Sequence, residues 1–262
     1  MIDRKLTFTC VACALLLAAC GPSEPEAPAA PAEPAPPAAA DLATMLASDA
    51  RSEEDRARDA GRKPAQVLAF LGVEPGMNVL DLMAASGWYS EVLSIAVGPE
   101  GHVTAQNPPF MLAFRDGYYD TALKERIGDR LKNVTKLDAS WADLAAMDAQ
   151  FDVVMSALNF HDAYLQSPED AAAMAAAVYK VLKPGGVFGV IDHVGSPDGD
   201  MQSLHRIDKA LVIGIVTAAG FVVEGDSDLL SNPDDDHSQG VFSEGIRGKT
   251  DRFLLKLRKP AM

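Results

Sequence analysis

The chain has 262 residues and a formal charge of -14, from 23 Lys and Arg against 37 Asp and Glu. Acidity of that size argues against nucleic acid as a partner and offers no attraction to anionic lipid surfaces. The three cysteines, Cys10, Cys13 and Cys20, all sit near the amino terminus, which excludes disulfides and thiolate metal sites from the remainder.

Residues 1–19 have the parts of a secretory leader. Arg4 and Lys5 precede an apolar run from Leu6 to Ala19, shorter than the roughly 20 residues a spanning helix needs. The run ends in Leu17-Ala18-Ala19-Cys20, which resembles the lipobox of bacterial lipoproteins. That resemblance implies cleavage before Cys20 and acylation of Cys20. It also implies a periplasm-facing envelope protein, anchored to the membrane by lipid at Cys20. Gly21 next to the cysteine favours the outer membrane over the inner. Several acyl chains, at about 0.8 kcal/mol per buried methylene, suffice for stable attachment. Residues 20–40 continue as Pro, Ala and Glu, a composition predicted to stay extended and act as a tether.

Residues 41–72 are predicted as N-terminal helices, one over 41–61 and one over 65–71 stopped by Gly72. An α/β domain is expected over 73–262. Its strands are predicted at 78–82, 102–106, 134–137, 151–158, 187–192, 221–224 and 252–257. Helices are predicted at 88–97, 109–127 with a break at Gly117, 168–182 and 203–219. Helix-linked strands of near-continuous apolar residues imply a mostly parallel sheet covered on both faces. The last two strands lack an intervening helix and are expected to pair antiparallel.

Three motifs then become specific. The first is Val79-Leu80-Asp81-Leu82-Met83-Ala84-Ala85-Ser86-Gly87, a strand running into a tight turn. The second is Phe151-Asp152-Val153-Val154, and the third is Val181-Leu182-Lys183-Pro184-Gly185-Gly186 before an apolar strand. Together with the strand order, they resemble the class I methyltransferases, which use S-adenosylmethionine. More narrowly, residues 55–64 and 232–238 are similar to a bacterial group of methyltransferase-like proteins with no defined substrate. The resemblance implies a Rossmann-like seven-stranded sheet with an antiparallel terminal strand. It also implies S-adenosylmethionine as cofactor and methyl transfer to a small-molecule acceptor.

On that resemblance the cofactor would meet Asp81, Met83, Ala85, Gly87 and Tyr89 after the first strand. It would meet Gln106 and Asn107 after the second, Asp138 after the third and Asn159 after the fourth. The chain departs from the family at two places. Met83 and Ala85 stand where glycines would let a ligand approach the backbone, and a left-handed Met costs about 1 kcal/mol or more. Gln106 stands where an acidic residue would accept both ribose hydroxyls. Arg56, Arg58, Arg62 and Lys63, and the Arg247-Lys249-Arg252 group, are candidates to meet a ligand carboxylate.

Ligands of an open α/β sheet bind beyond the carboxyl ends of its strands. His161 and Asp162 follow the fourth strand and Asp192 and His193 end the fifth, so these four are the catalytic candidates. Three roles remain open for them. They can move a proton at an acceptor oxygen or nitrogen. They can hold a divalent metal, with His161, Asp162, Asp192, His193 and His237 as the ligand candidates. Or they can cap helices and close loops. The leader and the fold pull apart, because S-adenosylmethionine is made in the cytoplasm. The alternative is therefore a non-catalytic or metal-dependent envelope protein that uses this fold to bind another ligand. No motif fixes the acceptor or the oligomeric state.

Overall fold

A computed structural model describes residues 39–261. The expected leader, Cys20 and nearly all of the tether lie outside the described residues.

Helix α1 (Ala39–Leu46) begins inside the segment expected to be tether and buries Leu42 and Leu46. The single helix expected over 41–61 is instead three. Arg51 turns inward, donates to the Leu46 carbonyl at 2.9 Å and pairs with Asp59 at 2.6 Å. Ser52 then caps α2 (Glu53–Ala57) by accepting the Asp55 N–H at 3.1 Å, and α3 (Asp59–Arg62) follows. Pro64 opens α4 (Pro64–Leu71), whose φ suits a first helical turn.

The parallel part comprises β1 (Asn78–Leu82), β2 (His102–Asn107), β3 (Val134–Asp138), β4 (Phe151–Ala157) and β5 (Leu182–His193). They are linked in turn by α5 (Trp88–Val97), by α6 (Pro109–Ala113) with α7 (Tyr118–Ile127), by α8 (Trp141–Ala145), and by α9 (Phe160–Gln166) with α10 (Pro168–Val181). Neither α8 nor α9 is among the expected elements. The α8 signal is legible afterwards: Ser140 and Asp143 form a reciprocal capping box.

The helix expected over 203–219 is also split, into α11 (Met201–Leu204) and α12 (Lys209–Ala218). At the break His205 takes φ +50° and Arg206 swings into the interior to meet Asp235. Asp208 restarts the helix by accepting the Ala210 N–H at 3.0 Å. The chain ends with β6 (Val222–Ser227) and β7 (Arg252–Arg258).

The seven strands run β3-β2-β1-β4-β5-β7-β6, with β7 antiparallel to both neighbours, as expected for the terminal pair. One core layer packs α10 and α12 on the sheet through Met174, Val178, Val212 and Phe188. The other packs α4 and α5 through Leu68, Leu71, Val92 and Leu93. The order reverses at β1 and β4, so the crevice for a ligand opens at their carboxyl ends. Among the described residues no helix is long and apolar enough to cross a membrane.

Candidate functional site

The loop after β1 keeps glycine geometry without the glycines. Met83, Ala85 and Gly87 have φ values of +55°, +52° and +78°. Gly87 is the position where a side chain has no room: a Cβ there would lie 2.6 Å from Leu123 Cδ1. Met83 and Ala85 have room but carry backbone strain of about 1–2 kcal/mol each.

Amide side chains hold the strained loop in place. Gln106 Oε1 accepts the Met83 N–H at 3.2 Å, and Gln106 Nε2 donates to the Ala139 carbonyl at 2.8 Å. Asn107 takes both backbone groups of Ala85, accepting its N–H at 2.9 Å and donating to its carbonyl at 3.1 Å. Asn159 Nδ2 donates to the Met83 carbonyl at 2.6 Å and its Oδ1 accepts from Ser156. Arg126 Nε donates to the Ser86 carbonyl at 2.7 Å, while its Nη1 pairs with Asp55 and Glu91.

These bonds alter the expected cofactor set. Gln106 and Asn107 are fully buried and committed to the loop, and neither lines the crevice, so they are not placed to hold ribose hydroxyls. Asp138 also lies off the crevice, exposed and paired with Lys136. Asp81, Met83, Ala85, Tyr89 and Asn159 do line it. Gly87 shapes the loop from behind.

The strain makes a direct test. Ala85→Gly removes the left-handed penalty, about 1–2 kcal/mol, while adding chain entropy worth about 0.5–1 kcal/mol. Ala85→Gly is expected to leave the domain as stable or about 1 kcal/mol more stable in urea, whereas Ala84→Gly, one residue back, loses stability.

The crevice itself is a cavity of about 970 Å³. Arg58, Arg62, Arg247, Lys249 and Arg252 line it, five of the seven basic residues the sequence offered for a ligand carboxylate. Arg56 and Lys63 do not: Arg56 pairs with Asp49, and Lys63 donates to the Leu229 carbonyl at 2.7 Å. Arg62 stacks 4.5 Å over Trp88, and burial together with Arg58 lowers its pKa to about 10. Asp81 accepts from Ser90 Oγ at 2.6 Å. Burial raises its pKa to about 7, against the pull of Ser90 and Arg62.

At the far end the structure gathers the four catalytic candidates. Asp192 is fully buried and accepts three donors: the His161 backbone N–H at 2.8 Å, His161 Nδ1–H at 2.7 Å and the His193 N–H at 2.7 Å. His161 Nε2 faces Asp162 Oδ1 at 3.4 Å. Burial disfavours a charged His161, but the charge and hydrogen bond of Asp192, with Asp162 beyond, lift its pKa to about 9. His193 lies 5.8 Å away, ring to ring, with Nδ1 against Thr250 Oγ1 at 2.7 Å. Burial, with the neighbouring positive His161, pushes its pKa down to about 3. Two imidazoles around one carboxylate are thus held in opposite states at neutral pH.

His237 stands apart from this group. It bonds Asp251 through Nε2 at 2.9 Å and serves the loop over 232–251, so the expected ligand set with His237 is not assembled. His205 takes its place, packed ring to ring 5.7 Å from His161. Sequence placed His205 at the start of a helix; only the break before Arg206 turns it to the cavity beside the crevice. A second cavity of about 670 Å³ adjoins there, walled by Phe110, Phe114, Tyr119 and Phe242. Phe242 has no motif around it that would single it out.

Strain concentrates at this edge. Met83, Ala85, Arg115, Leu158 and His205 all have positive φ, and all line one cavity or the other. Such positions persist when surrounding structure over-determines them, and they cluster where ligands bind.

Sheet order, crevice and loop can now be set beside known proteins. Residues 80–190 match the family model described as a methyltransferase domain. A SAM-dependent methyltransferase from Aquifex aeolicus superposes with a TM-score of 0.55 at 22% identity, over 75% of this chain and 89% of that one. The fold is that of the class I methyltransferases. The [4+2]-cyclase SpnF shares it, with a TM-score of 0.59 at 19% identity over 82% of this chain and 86% of that one. Among curated proteins, the demethylmenaquinone methyltransferase of Listeria monocytogenes is 28% identical over 127 residues, 48% of this chain and 49% of that one. The ubiquinone/menaquinone biosynthesis C-methyltransferase UbiE of Shewanella piezotolerans is 26% identical over 190 residues, 71% of this chain and 65% of that one. The chain therefore spans about half the length of the first of these relatives and just under two thirds of the second.

S-adenosylmethionine is the cofactor that the methyltransferase domain match implies. The methionyl side of the crevice fits: the loop has the required backbone turn, and Arg62 and Arg252 line the crevice beside it. The ribose side differs, because no carboxylate at the end of β2 reaches the crevice.

Proposed function

We propose that the chain is an S-adenosylmethionine-dependent methyltransferase acting on a small-molecule acceptor, carried in the cell envelope on a lipidated Cys20. The observation that carries the enzymatic part is the loop after β1. It keeps three left-handed residues, two without glycine, and dedicates three buried amides to that shape. A chain that had abandoned the ligand would have no reason to retain the strain. The envelope part rests on the Leu17-Ala18-Ala19-Cys20 motif and the Pro/Ala-rich segment after it.

The cofactor supplies an electrophilic methyl group. Arg62 and Asp81 line the crevice; Arg62 would receive the cofactor's carboxylate and Asp81 would balance its positive charge. Methyl transfer requires chiefly in-line positioning of the acceptor atom. His161, held protonated by Asp192, donates a hydrogen bond to an acceptor oxygen. His193, kept neutral by burial with a pKa of about 3, can accept a hydrogen bond at Nε2 and does not carry a proton away. The aromatic second cavity accommodates the body of the acceptor.

Thermal melting of the full chain with S-adenosylmethionine and S-adenosylhomocysteine tests this. At a hundred times the dissociation constant a ligand adds about 2.7 kcal/mol, a rise of roughly 5–10 °C for a domain of this size. A saturable rise with both supports the proposal; none at millimolar ligand sinks it. The pH dependence has a definite sign. Asp81, with a pKa of about 7, is neutral below that pH and ionised above it. Affinity for cationic S-adenosylmethionine should therefore tighten as pH rises through about 7. Asp81→Asn should flatten that dependence, and a wild-type profile already flat from pH 6 to 8 would remove the role of Asp81.

A second reading is binding or different chemistry on the same fold. The lack of a β2-end side chain facing the crevice to meet ribose hydroxyls favours it, and the SpnF cyclase is an instance of this fold under another reaction name. Cofactor binding without methyl transfer to any acceptor would select this reading.

A further inference from the structure

His161, Asp162 and His205 bring three donor atoms to one point at the junction of the two cavities. His161 Nε2 and Asp162 Oδ1 are 3.4 Å apart, and Asp162 Oδ1 and His205 Nδ1 are 3.8 Å apart. All three atoms lie within 4.8 Å of one another. Ligands about 2.0–2.2 Å from a tetrahedral zinc ion are separated by about 3.4 Å. Two edges of the triangle are thus near that spacing, and the third needs only a small closing movement.

Two further observations point to a cation. His205 Nδ1 is buried and has no hydrogen-bond partner among the described residues, a costly state for a ring nitrogen. It sits on the loop between α11 and α12, where His205 holds a left-handed backbone that aims the ring at Asp162. Asp192, meanwhile, bonds His161 at Nδ1 and at its backbone N–H. That bond fixes the tautomer that leaves Nε2 as the donor atom. A buried carboxylate behind a histidine, orienting it for a metal, is the usual outer support of such ligands.

We propose that His161 Nε2, Asp162 Oδ1 and His205 Nδ1 form a site for a zinc-class divalent cation, with its remaining position open to the cavities. Two imidazoles and a carboxylate suit zinc and its neighbours better than magnesium or calcium, which favour all-oxygen sites. The cation and the His161 proton compete for one place, so the site holds one or the other. Resting on the methyltransferase reading, the site selects an acceptor that offers an oxygen or sulfur as the fourth ligand, next to the transferred methyl.

The full chain, prepared without chelator and then stripped of metal, is titrated with Co2+, whose visible absorption reports coordination by nitrogen and oxygen. A saturable spectrum at one equivalent, displaced by Zn2+, is expected. His205→Ala and Asp162→Asn should each weaken binding at least about tenfold. No saturable absorption in the wild type overturns the site, as does unchanged binding in a folded His205→Ala protein. S-adenosylhomocysteine binding is measured on the same preparation. Cobalt binding without it upholds the cation site and removes the methyltransferase reading; the converse removes only the cation site.

Discussion

Arg206→Met is expected to destabilise the domain by about 3–5 kcal/mol, the usual consequence of leaving one half of a buried ion pair unmatched. Arg206 and Asp235 are each 1% exposed, joined by two bonds of 2.9 and 3.0 Å. Arg206 also donates to the Val194 and Gln239 carbonyls. Asp235 also accepts the N–H groups of His237 and Asp251. The pair ties the break between α11 and α12 to the loop over 232–251, which carries Phe242, Arg247 and Lys249 into the crevice. Urea unfolding measures the loss. A double change, Arg206→Met with Asp235→Leu, should recover part of it, because neither charge is then stranded. A single substitution costing under about 1 kcal/mol would mean that the pair is hydrated and does not anchor the loop.

Asp192→Asn should be comparably damaging, for a different reason. An amide offers one acceptor oxygen and places an NH2 where a second acceptor is needed, so at least one of the three buried donors loses its partner. Loss of about 3 kcal/mol is expected from that alone, with the charge of His161 also unmatched. The effect on His161 is the more specific readout. Without Asp192 the burial of the imidazole is opposed only by Asp162, so its pKa should fall from about 9 toward or below the ordinary histidine value of 6.5. Following the ring protons by NMR against pH, in metal-free protein, measures this. The sign for stability follows from the same shift. His161 bound to Asp192 contributes stability that is complete below pH 6.5 and is lost as pH rises through about 9. Asp192→Asn removes that loss. If His161 titrates alike in both proteins, Asp192 is not what holds its proton.

Much of the fold was legible because its signals are local and repeated. The strand at Asn78–Leu82 and the helix at Trp88–Val97 follow from an apolar run bounded by Glu74-Pro75-Gly76 and Gly98. The antiparallel close follows from the missing helix before Arg252. What escaped was set by contacts between distant segments. Arg51 and Arg206 are charged residues in helix-forming sequence, and each breaks its helix because a distant or turned-back carboxylate draws it inward. The short helix Phe160–Gln166 was hidden because its seven residues read as the loop that follows a strand.

The site was legible in outline and misread at several positions. His161, Asp162, Asp192 and His193 do converge, since strand ends of a parallel sheet must share an edge. Gln106 and Asn107, by contrast, were assigned by position to a ligand, while their amides face the protein. The direction of a side chain at a strand terminus depends on which backbone groups nearby lack partners. Here the strained loop has several, and a carboxylate could not have both donated and accepted for them. Gln106 and Asn107 thus serve the loop that carries Met83 and Ala85.

Calorimetric titration of S-adenosylhomocysteine into the full chain and into Arg62→Met tests the central claim most directly. Arg62 is stacked on Trp88 in the crevice and has no carboxylate partner of its own among its described hydrogen bonds. Methionine keeps the stacking surface and removes the charge. The account predicts one saturable site in the wild type and binding at least about tenfold weaker in Arg62→Met, since a hydrogen bond to a charged group is worth about 1.5–3 kcal/mol. Absence of saturable heat in the wild type, or equal affinity in the variant, would contradict it.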